Sequence, residues 1–471
     1  MPNSGHTTIK GPTPRRRGED EEAEEFRLAL VVIWAGEEPS RLGEALFPTS
    51  GSVFGRGPAD DDGEPRVGFV RQRPEKNLKG APCDNPFLSR RHLRFDVSLD
   101  AIEIQCVGHR PLRFADVEVQ SATVREGDIV EITDLYAFLC VRRPAFLAAG
   151  GDELAPDTFG EADAYGIVGE SAPAWTLRSQ VSFLGKRNAH VLVTGSSGTG
   201  KELVAQAIHR LSSRAKKEIV SRNAATFPSG LIDAELFGNL ANYPNVGMPE
   251  RLGLIGQADG STLFLDEIGE LPSEMQAHLL RVLDGGEYQR LGDPKRRFAD
   301  IRLVAATNRA PEELKEDLAA RLALRVQVPG LDDRREDIAL LARHILKRTA
   351  ARDTEFAQRF CTNGEPRITS ELVRALTQHG FATHVRELDG VLMRAAGSSS
   401  NRKAGEELDL TKEVRAVLRP VARPANREVG ADEIRAALTR HGGVKDKAWR
   451  DLGLASRHAL HRLMKKLNID D

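Results

Sequence analysis

The stretch "HVLVTGSSGTGKELVAQAIHR", residues 190–210, most narrows what this chain can fold into. An apolar strand, Val191 to Thr194, runs into a glycine-rich turn and then a helix carrying Leu203, Ala207 and Ile208 on one face. Gly195, Gly198 and Gly200 let the backbone curl until its N–H groups and the helix N-terminus face phosphates, and Lys201 reaches the β- and γ-phosphates. Ser196, Ser197 and Thr199 complete the loop. Glu202 stands where a Ser or Thr hydroxyl usually touches Mg²⁺, so the metal must lean on another ligand. The pattern predicts a site for ATP and Mg²⁺.

A second stretch, "STLFLDEIGELP", supplies that ligand. Its strand, Thr262 to Leu265, delivers Asp266 and Glu267 at its C-terminal end, where ligands of open α/β sheets gather. Asp266 suits Mg²⁺, and Glu267 suits orienting the attacking water. A structural glycine turn beside a solvated acidic strand end is the plainer alternative, and two strand-led motifs in the required order argue against it.

With 471 residues, 40% hydrophobic and 29% charged, the chain exceeds one ordinary core, and three folded units are expected. Residues 1–25 combine Pro, Gly, the basic triplet Arg15 to Arg17 and an acidic run, which predicts a disordered tail. From 26 to 145 short apolar runs alternate with turn signals, and in "AIEIQCV" Ile102, Ile104 and Cys106 share one strand face. That region is read as all-β. "AAGGDELAPDTFGEADA" reads as a linker over 146–165; 166–332 alternates strands and helices as an α/β unit, and 333–400 is helical. A second linker covers 401–428, and 429–471 holds three short helical patterns in an all-α end.

The formal net charge of −2 does not mark the whole chain as a nucleic-acid binder, yet residues 431–471 carry nine Lys or Arg against six Asp or Glu. Cys83, Cys106, Cys140 and Cys361 lack metal or CxxC spacing and are read as reduced thiols in a reducing compartment, the cytoplasm. The N-terminus lacks the apolar core of a signal peptide, and runs such as "LALVVIWAG" are too short to span a bilayer, so a soluble protein with no membrane partner is expected.

The segments "GSSGTGKELVAQAIH", "ELFG", "GQADGSTLFLDEIGELP", "LLRVLDGGEYQRLG", "IRLVAATN", "EDLAARL", "RREDIALLARHIL" and "VRELDGVLMRAA" follow one another in this order. Over about residues 166–400 the chain therefore resembles the bacterial enhancer-binding proteins, the AAA+ activators of sigma-54 RNA polymerase. The resemblance implies a P-loop ATPase with a helical lid, working as a homo-oligomeric ring. It makes Asn308 the sensor of the γ-phosphate, Asn223 the partner that holds Glu267 back, and Arg321 the arginine finger reaching a neighbouring subunit. Lys315 stands where the family has a second arginine and offers a point charge without the planar fork. Arg386 matches the lid arginine that contacts nucleotide, although the family's "WPGN" has become Phe381, Ala382, Thr383 and His384. For Arg321 and Arg386, an ordinary surface helix charge is the competing reading.

Between "ELFG" and the following Arg251 this family carries GAFTGA, a loop whose Phe and Thr touch sigma-54. Here the spacing is kept but the residues are Asn242, Tyr243, Pro244, Asn245, Val246 and Gly247. Tyr243 and Pro244 replace Ala and Phe, Asn245 replaces Thr, and Pro244 fixes φ and removes a donor. Two alternatives to a sigma-54 remodeller stay open: a DNA-binding AAA+ regulator with another target, and a non-hydrolysing scaffold.

Near the N-terminus "SVFGRGP" and "NPFLSRRHLRF" resemble a forkhead-associated (FHA) β-sandwich, which binds phosphothreonine peptides. The resemblance implies that Arg56, Ser89 and Arg90 hold the phosphate of a protein or kinase partner while His92 braces the loop. The Asn-Gly pair that grips the peptide backbone is replaced within "VGHRPLRF", so a sandwich without that ligand is the alternative. The C-terminal "ADEIRAALTRHGGVKDKAWRDLGLASRHALHRLMKKLNI" resembles a Fis-type helix-turn-helix with Gly453 in its turn. Leu460, Leu463, Met464 and Leu467 line one face, leaving Arg457, His458, His461, Arg462, Lys465 and Lys466 for an upstream DNA site. A basic solvated helix is the competing reading.

Overall fold

The computed structural model describes residues 26–57, 64–228, 230–243, 245–399, 405–420, 431–441 and 445–452, together with Leu460, Leu463, Met464, Leu467 and Ile469. The tail 1–25 lies outside the described residues.

The first unit is an antiparallel β-sandwich built around its two longest strands. "FRLALVVIWA" is apolar on both faces, so Phe26–Ala35 is buried along most of its length beside Tyr136–Pro144. Among the described residues these two are the centre of an eight-stranded sheet. A four-stranded sheet packs across it, ordered Ser121–Val124, Ile102–Cys106, Leu93–Val97 and Val53–Phe54. In Ile102–Cys106 the odd positions are exposed and Ile102, Ile104 and Cys106 are buried, which is the alternation the sequence predicts. Phe54 meets Phe69 and Phe138 edge to face at centroid distances of 5.3 and 6.2 Å.

The second unit is a parallel sheet with the order Val220–Asn223, Thr262–Asp266, Arg302–Thr307, Val191–Thr194 and Leu324–Gln327. Successive side chains of a strand enter different layers. Val191 and Val193 pack with the helices Ala172–Gly185 and Lys201–Arg210, whereas Leu192 joins the core beneath Ser273–Gly285. With both faces covered, the polar ends of the strands are left as the place for chemistry.

The helices Ile338–Ala350, Thr354–Phe360, Ser370–Gln378 and His384–Ser398 form the lid. Two stretches expected as linkers pack instead. Within 146–165, Leu147, Leu154 and Phe159 are buried, and Asp163 pairs with Arg178 at 3.0 Å with neither side chain exposed. Within 401–428, residues 405–420 belong to the lid: Leu408 and Val414 are fully buried, and Thr411 caps the short helix Lys412–Arg415. Composition hid this because a few well-spaced apolar residues suffice to dock a polar segment.

At the C-terminal end the helices Ala431–Arg440 and Lys445–Asp451 share a core of Ile434, Ala437, Ala448, Leu460 and Met464, with Leu463 and Leu467 against it. Gly453, Arg457, His458, His461, Arg462, Lys465 and Lys466 lie outside the described residues. Among the described residues no helix is long and apolar enough to cross a membrane. All four cysteines are free, and Cys83, Cys106 and Cys140 are buried.

Candidate nucleotide site

Strand Val191–Thr194 ends at Gly195, and the loop 195–200 turns the chain into helix Lys201–Arg210. Gly200 is the residue preceding that helix, with φ +102°, and nothing lies within 4 Å of where a Cβ would project. Thr199 Oγ1 donates to the Ser196 carbonyl at 2.9 Å, tying the loop to itself. Lys201 is buried, and its Nζ donates to the carbonyls of Gly195 at 3.0 Å and Ser196 at 3.4 Å. The ammonium is therefore held at the mouth of the loop. Glu202 points elsewhere, its Oε1 accepting from Gln206 Nε2 at 3.4 Å on the exposed helix face.

Asp266 and Asn223 end neighbouring strands in register, and Asn223 Nδ2 donates to Asp266 Oδ2 at 3.3 Å. The partner expected for Asn223 was Glu267, and the structure pairs it with Asp266. Register explains the difference: a side chain at one strand end meets its lateral neighbour, whereas Glu267 has already turned away. Glu267 adopts φ +51°, a left-handed conformation that a non-glycine residue avoids and that gathers at functional sites. Its carboxylate lies 3.6 Å from Lys201 Nζ and accepts from the Asn308 backbone N–H at 3.2 Å.

The lid closes this group from above. Val385 N donates to the Gly198 carbonyl at 3.1 Å, and Arg386 Nη1 donates to Ser197 Oγ at 3.2 Å. The turn carrying Arg386 is held by a residue the sequence reading missed, Glu387. It accepts from Thr383 N and lies against His379 Nε2, both at 2.9 Å. A carboxylate in the first turn of His384–Ser398 was the available signal. Arg321 stands apart from this group, half exposed, with Nε 2.7 Å from Asp284 Oδ1. Lys315 is exposed at the start of helix Glu316–Arg321.

These residues fit a nucleotide with Mg²⁺. The loop is open beside Gly200, a buried ammonium waits at its mouth, and Asp266 presents a carboxylate whose oxygens each retain a lone pair. Among the described residues no group of three or more His, Cys, Asp or Glu could hold a metal alone. Mg²⁺ in nucleotide sites takes one or two carboxylates and completes its shell with phosphate oxygens and water.

Residues 167–331 match the Sigma-54 interaction domain family, and residues 332–420 match the AAA+ ATPase lid domain. The transcriptional regulatory protein ZraR of Escherichia coli K12 is 36% identical over 313 residues, 64% of this chain and 69% of ZraR. The chain belongs to the sigma-54 activator family. The Nif-specific regulatory protein of Azotobacter vinelandii is 36% identical over 318 residues, and the match spans 59% of that protein. The crystal structure of NtrX from Brucella abortus in complex with ATP shares 31% identity, covering 64% of this chain and 69% of that one at a TM-score of 0.45.

In the segment where this family carries its GAFTGA loop, the chain builds a braced projection. Asn239 and Arg251 exchange backbone hydrogen bonds at 3.1 and 3.0 Å to close its base. The buried Asn239 side chain donates to the carbonyls of Leu240 and Pro249, both at 2.9 Å. Asn242, at φ +60°, accepts from Gly247 N through Oδ1 at 2.8 Å. Tyr243 folds down onto Gly292, where a Cβ would come within 2.6 Å of the ring. Val246 is left 95% exposed. Asn245 lies between these braces and accepts from Met248 N at 3.2 Å; Pro244 lies outside the described residues.

In the sandwich the loops bearing Arg56 and Ser89 meet, with Arg56 N donating to the Ser89 carbonyl at 2.9 Å. Arg90 is exposed, and Arg66 Nη2 ties the carbonyls of Arg56 and Arg90 together at 2.6 and 2.7 Å. Ser89 Oγ accepts from His109 N at 3.2 Å. His92 is fully buried: Ser89 N donates to Nδ1 at 3.3 Å, so Nε2–H faces the Arg110 carbonyl at 3.1 Å. Burial is the main cause holding the His92 pKa below its ordinary value.

Proposed function

We propose that this chain is a sigma-54-dependent transcriptional regulator that hydrolyses ATP as a homo-oligomeric ring. It binds upstream DNA through its C-terminal residues and remodels RNA polymerase holoenzyme, gated by phosphothreonine recognition in its FHA-like sandwich. The observation carrying this reading is that Lys201 and Arg386 both bond the glycine-rich loop while Glu267, joined to Asp266 and the Asn308 N–H, stands 3.6 Å from Lys201.

ATP with Mg²⁺, when bound, supplies the transferable phosphoryl group and the free energy released on hydrolysis. Gly195 to Gly200 offer backbone donors to phosphates, Lys201 and Arg386 offset negative charge, and Asp266 would hold the cation. Glu267 orients the attacking water, its carboxylate fixed by the Asn308 N–H. Asn223 acts through Asp266, and Asn308 reads the γ-phosphate. Arg321 must leave Asp284 to serve as a finger in the neighbouring subunit. In the sandwich, Arg56, Ser89 and Arg90 offer a dianion two cations and a hydroxyl on a loop held by His92.

The test is direct on the full chain. Lys201→Ala abolishes nucleotide binding, and Glu267→Ala binds nucleotide but releases no phosphate. Wild-type turnover by Glu267→Ala would refute the assignment of the water-orienting residue.

One observation favours a second reading, a ring acting on a target other than sigma-54. Tyr243, the aromatic nearest the family's Phe, is folded against Gly292, and the exposed tip is Val246. Turnover without sigma-54 capture selects this reading.

A further inference from the structure

The sandwich, the α/β unit and the lid meet at a buried polar junction outside the nucleotide site. Arg143, at the end of strand Tyr136–Pro144, is 2% exposed and donates to a residue of each body. Nε reaches Glu336 Oε2 at 2.9 Å at the start of the lid, Nη2 the Glu170 carbonyl at 3.1 Å in the α/β unit, and Nη1 Gln72 Oε1 at 3.2 Å in the sandwich. Arg73 adds a second bond from the sandwich, to Glu170 Oε2 at 2.6 Å. The α/β unit and lid are themselves joined here, since Asp337 Oδ1 accepts from Glu170 N at 2.8 Å and Ser171 N at 3.0 Å.

A second contact fixes the far side of the lid. The buried Glu131 of the sandwich accepts from Ser370 Oγ at 2.7 Å, and Trp34 Nε1 donates to the Ile368 carbonyl at 2.7 Å. Between the two contacts the sandwich and lid share one apolar core that includes Leu42, Leu46, Leu340 and Leu372.

The lid carries Arg386, and the segment around Glu336 is where the lid leaves the α/β unit. With the sandwich docked, the lid cannot rotate about that segment without parting a buried arginine from a buried carboxylate. A planar guanidinium with partners on three bodies also tolerates little change in their relative angle.

We infer that Arg143 is a positioning residue for nucleotide binding: it joins the sandwich to the hinge and sets the lid angle at which Arg386 meets Ser197. This rests on the nucleotide-site reading above. The sandwich thereby acts on nucleotide affinity from within the same subunit.

The experiment measures equilibrium binding of a fluorescent ADP analogue to the full chain and to Arg143→Met, Glu336→Gln, their combination and Ser370→Glu. Arg143→Met weakens binding between about twofold and thirtyfold. Glu336→Gln adds nothing once Arg143 is gone, because the two residues act through one contact. Ser370→Glu removes the hydroxyl that donates to Glu131 and sets a second carboxylate there, competing for Arg374 and Arg113 at 3.6 and 3.7 Å, without opening either core, and shifts affinity in the same direction. In steady state KM for ATP rises while turnover at saturation stays within about twofold, a split that general unfolding would not give. Wild-type affinity in cooperatively melting Arg143→Met and Ser370→Glu chains overturns the inference alone. A wild-type chain that binds no analogue overturns it together with the nucleotide-site reading.

Discussion

Replacing Gly198 by alanine tests how tightly the lid is fitted to the phosphate loop. Gly198 has φ +80°, and an added Cβ would lie 2.1 Å from the Thr383 carbonyl oxygen, which is backbone and has no rotamer to give way. Since real Cβ contacts almost never fall below 3.0 Å, the lid must retreat by roughly 1 Å. That retreat breaks the 3.1 Å bond from Val385 N and the 3.2 Å bond from Arg386 to Ser197. The backbone strain alone costs about 1–3 kcal/mol, and because the added carbon still wedges the lid off the loop when nucleotide is bound, unlike a lid merely loosened at Arg143, turnover at saturation falls by about 100-fold. Gly51→Ala is the matched control, with φ +78° in a sandwich turn and nothing within 4 Å of the added carbon. Both variants melt earlier, and only Gly198→Ala loses turnover, read as phosphate release at saturating ATP. Equal turnover in the two variants would refute the claim that the lid's seat on Gly198 places Arg386.

Other perturbations follow from the same geometry. Asp284→Asn frees Arg321, and because both partners are about half exposed the change in ring turnover is an increase of no more than about fivefold; a decrease would mean that Asp284 aligns the finger. Arg178→Met strands Asp163 in a fully buried pair and lowers stability by about 3–5 kcal/mol, measured by denaturant unfolding. Val246→Asp abolishes sigma-54 capture and leaves ATP turnover unchanged, since the side chain touches solvent alone. His92 is held neutral by burial, so its folded pKa is below its unfolded value of about 6.5; its contribution to stability is complete above that pH and is lost as pH falls toward the folded pKa. Melting between pH 7.5 and 5.5 shows a smaller loss in His92→Gln than in the wild-type chain.

The nucleotide site was legible because its parts are local in sequence. A strand, a glycine-rich turn and a helix predict the phosphate loop, and a strand ending in Asp266 and Glu267 predicts the far wall. What composition and spacing could not supply is lateral pairing. That Asn223 meets Asp266 and not Glu267 follows from parallel register and from the left-handed turn at Glu267, and neither is written in a motif. The same holds for Arg143, an unremarked residue at a strand end until the fold sets it beside Glu336, 193 positions away. The packed stretch 146–165 reads as a linker because only Leu147, Leu154, Phe159 and the buried Asp163 carry its docking. In the family's GAFTGA segment the kept spacing marks where the loop lies, but only the fold distinguishes Tyr243, laid over Gly292 and 44% exposed, from Val246, 95% exposed.

The most direct test of the account is capture of purified sigma-54 by the full chain held with ADP and aluminium fluoride, with phosphate release followed in parallel under ATP. Turnover is expected together with capture that depends on Val246. Turnover with no capture of sigma-54 would contradict it and assign the motor to another target.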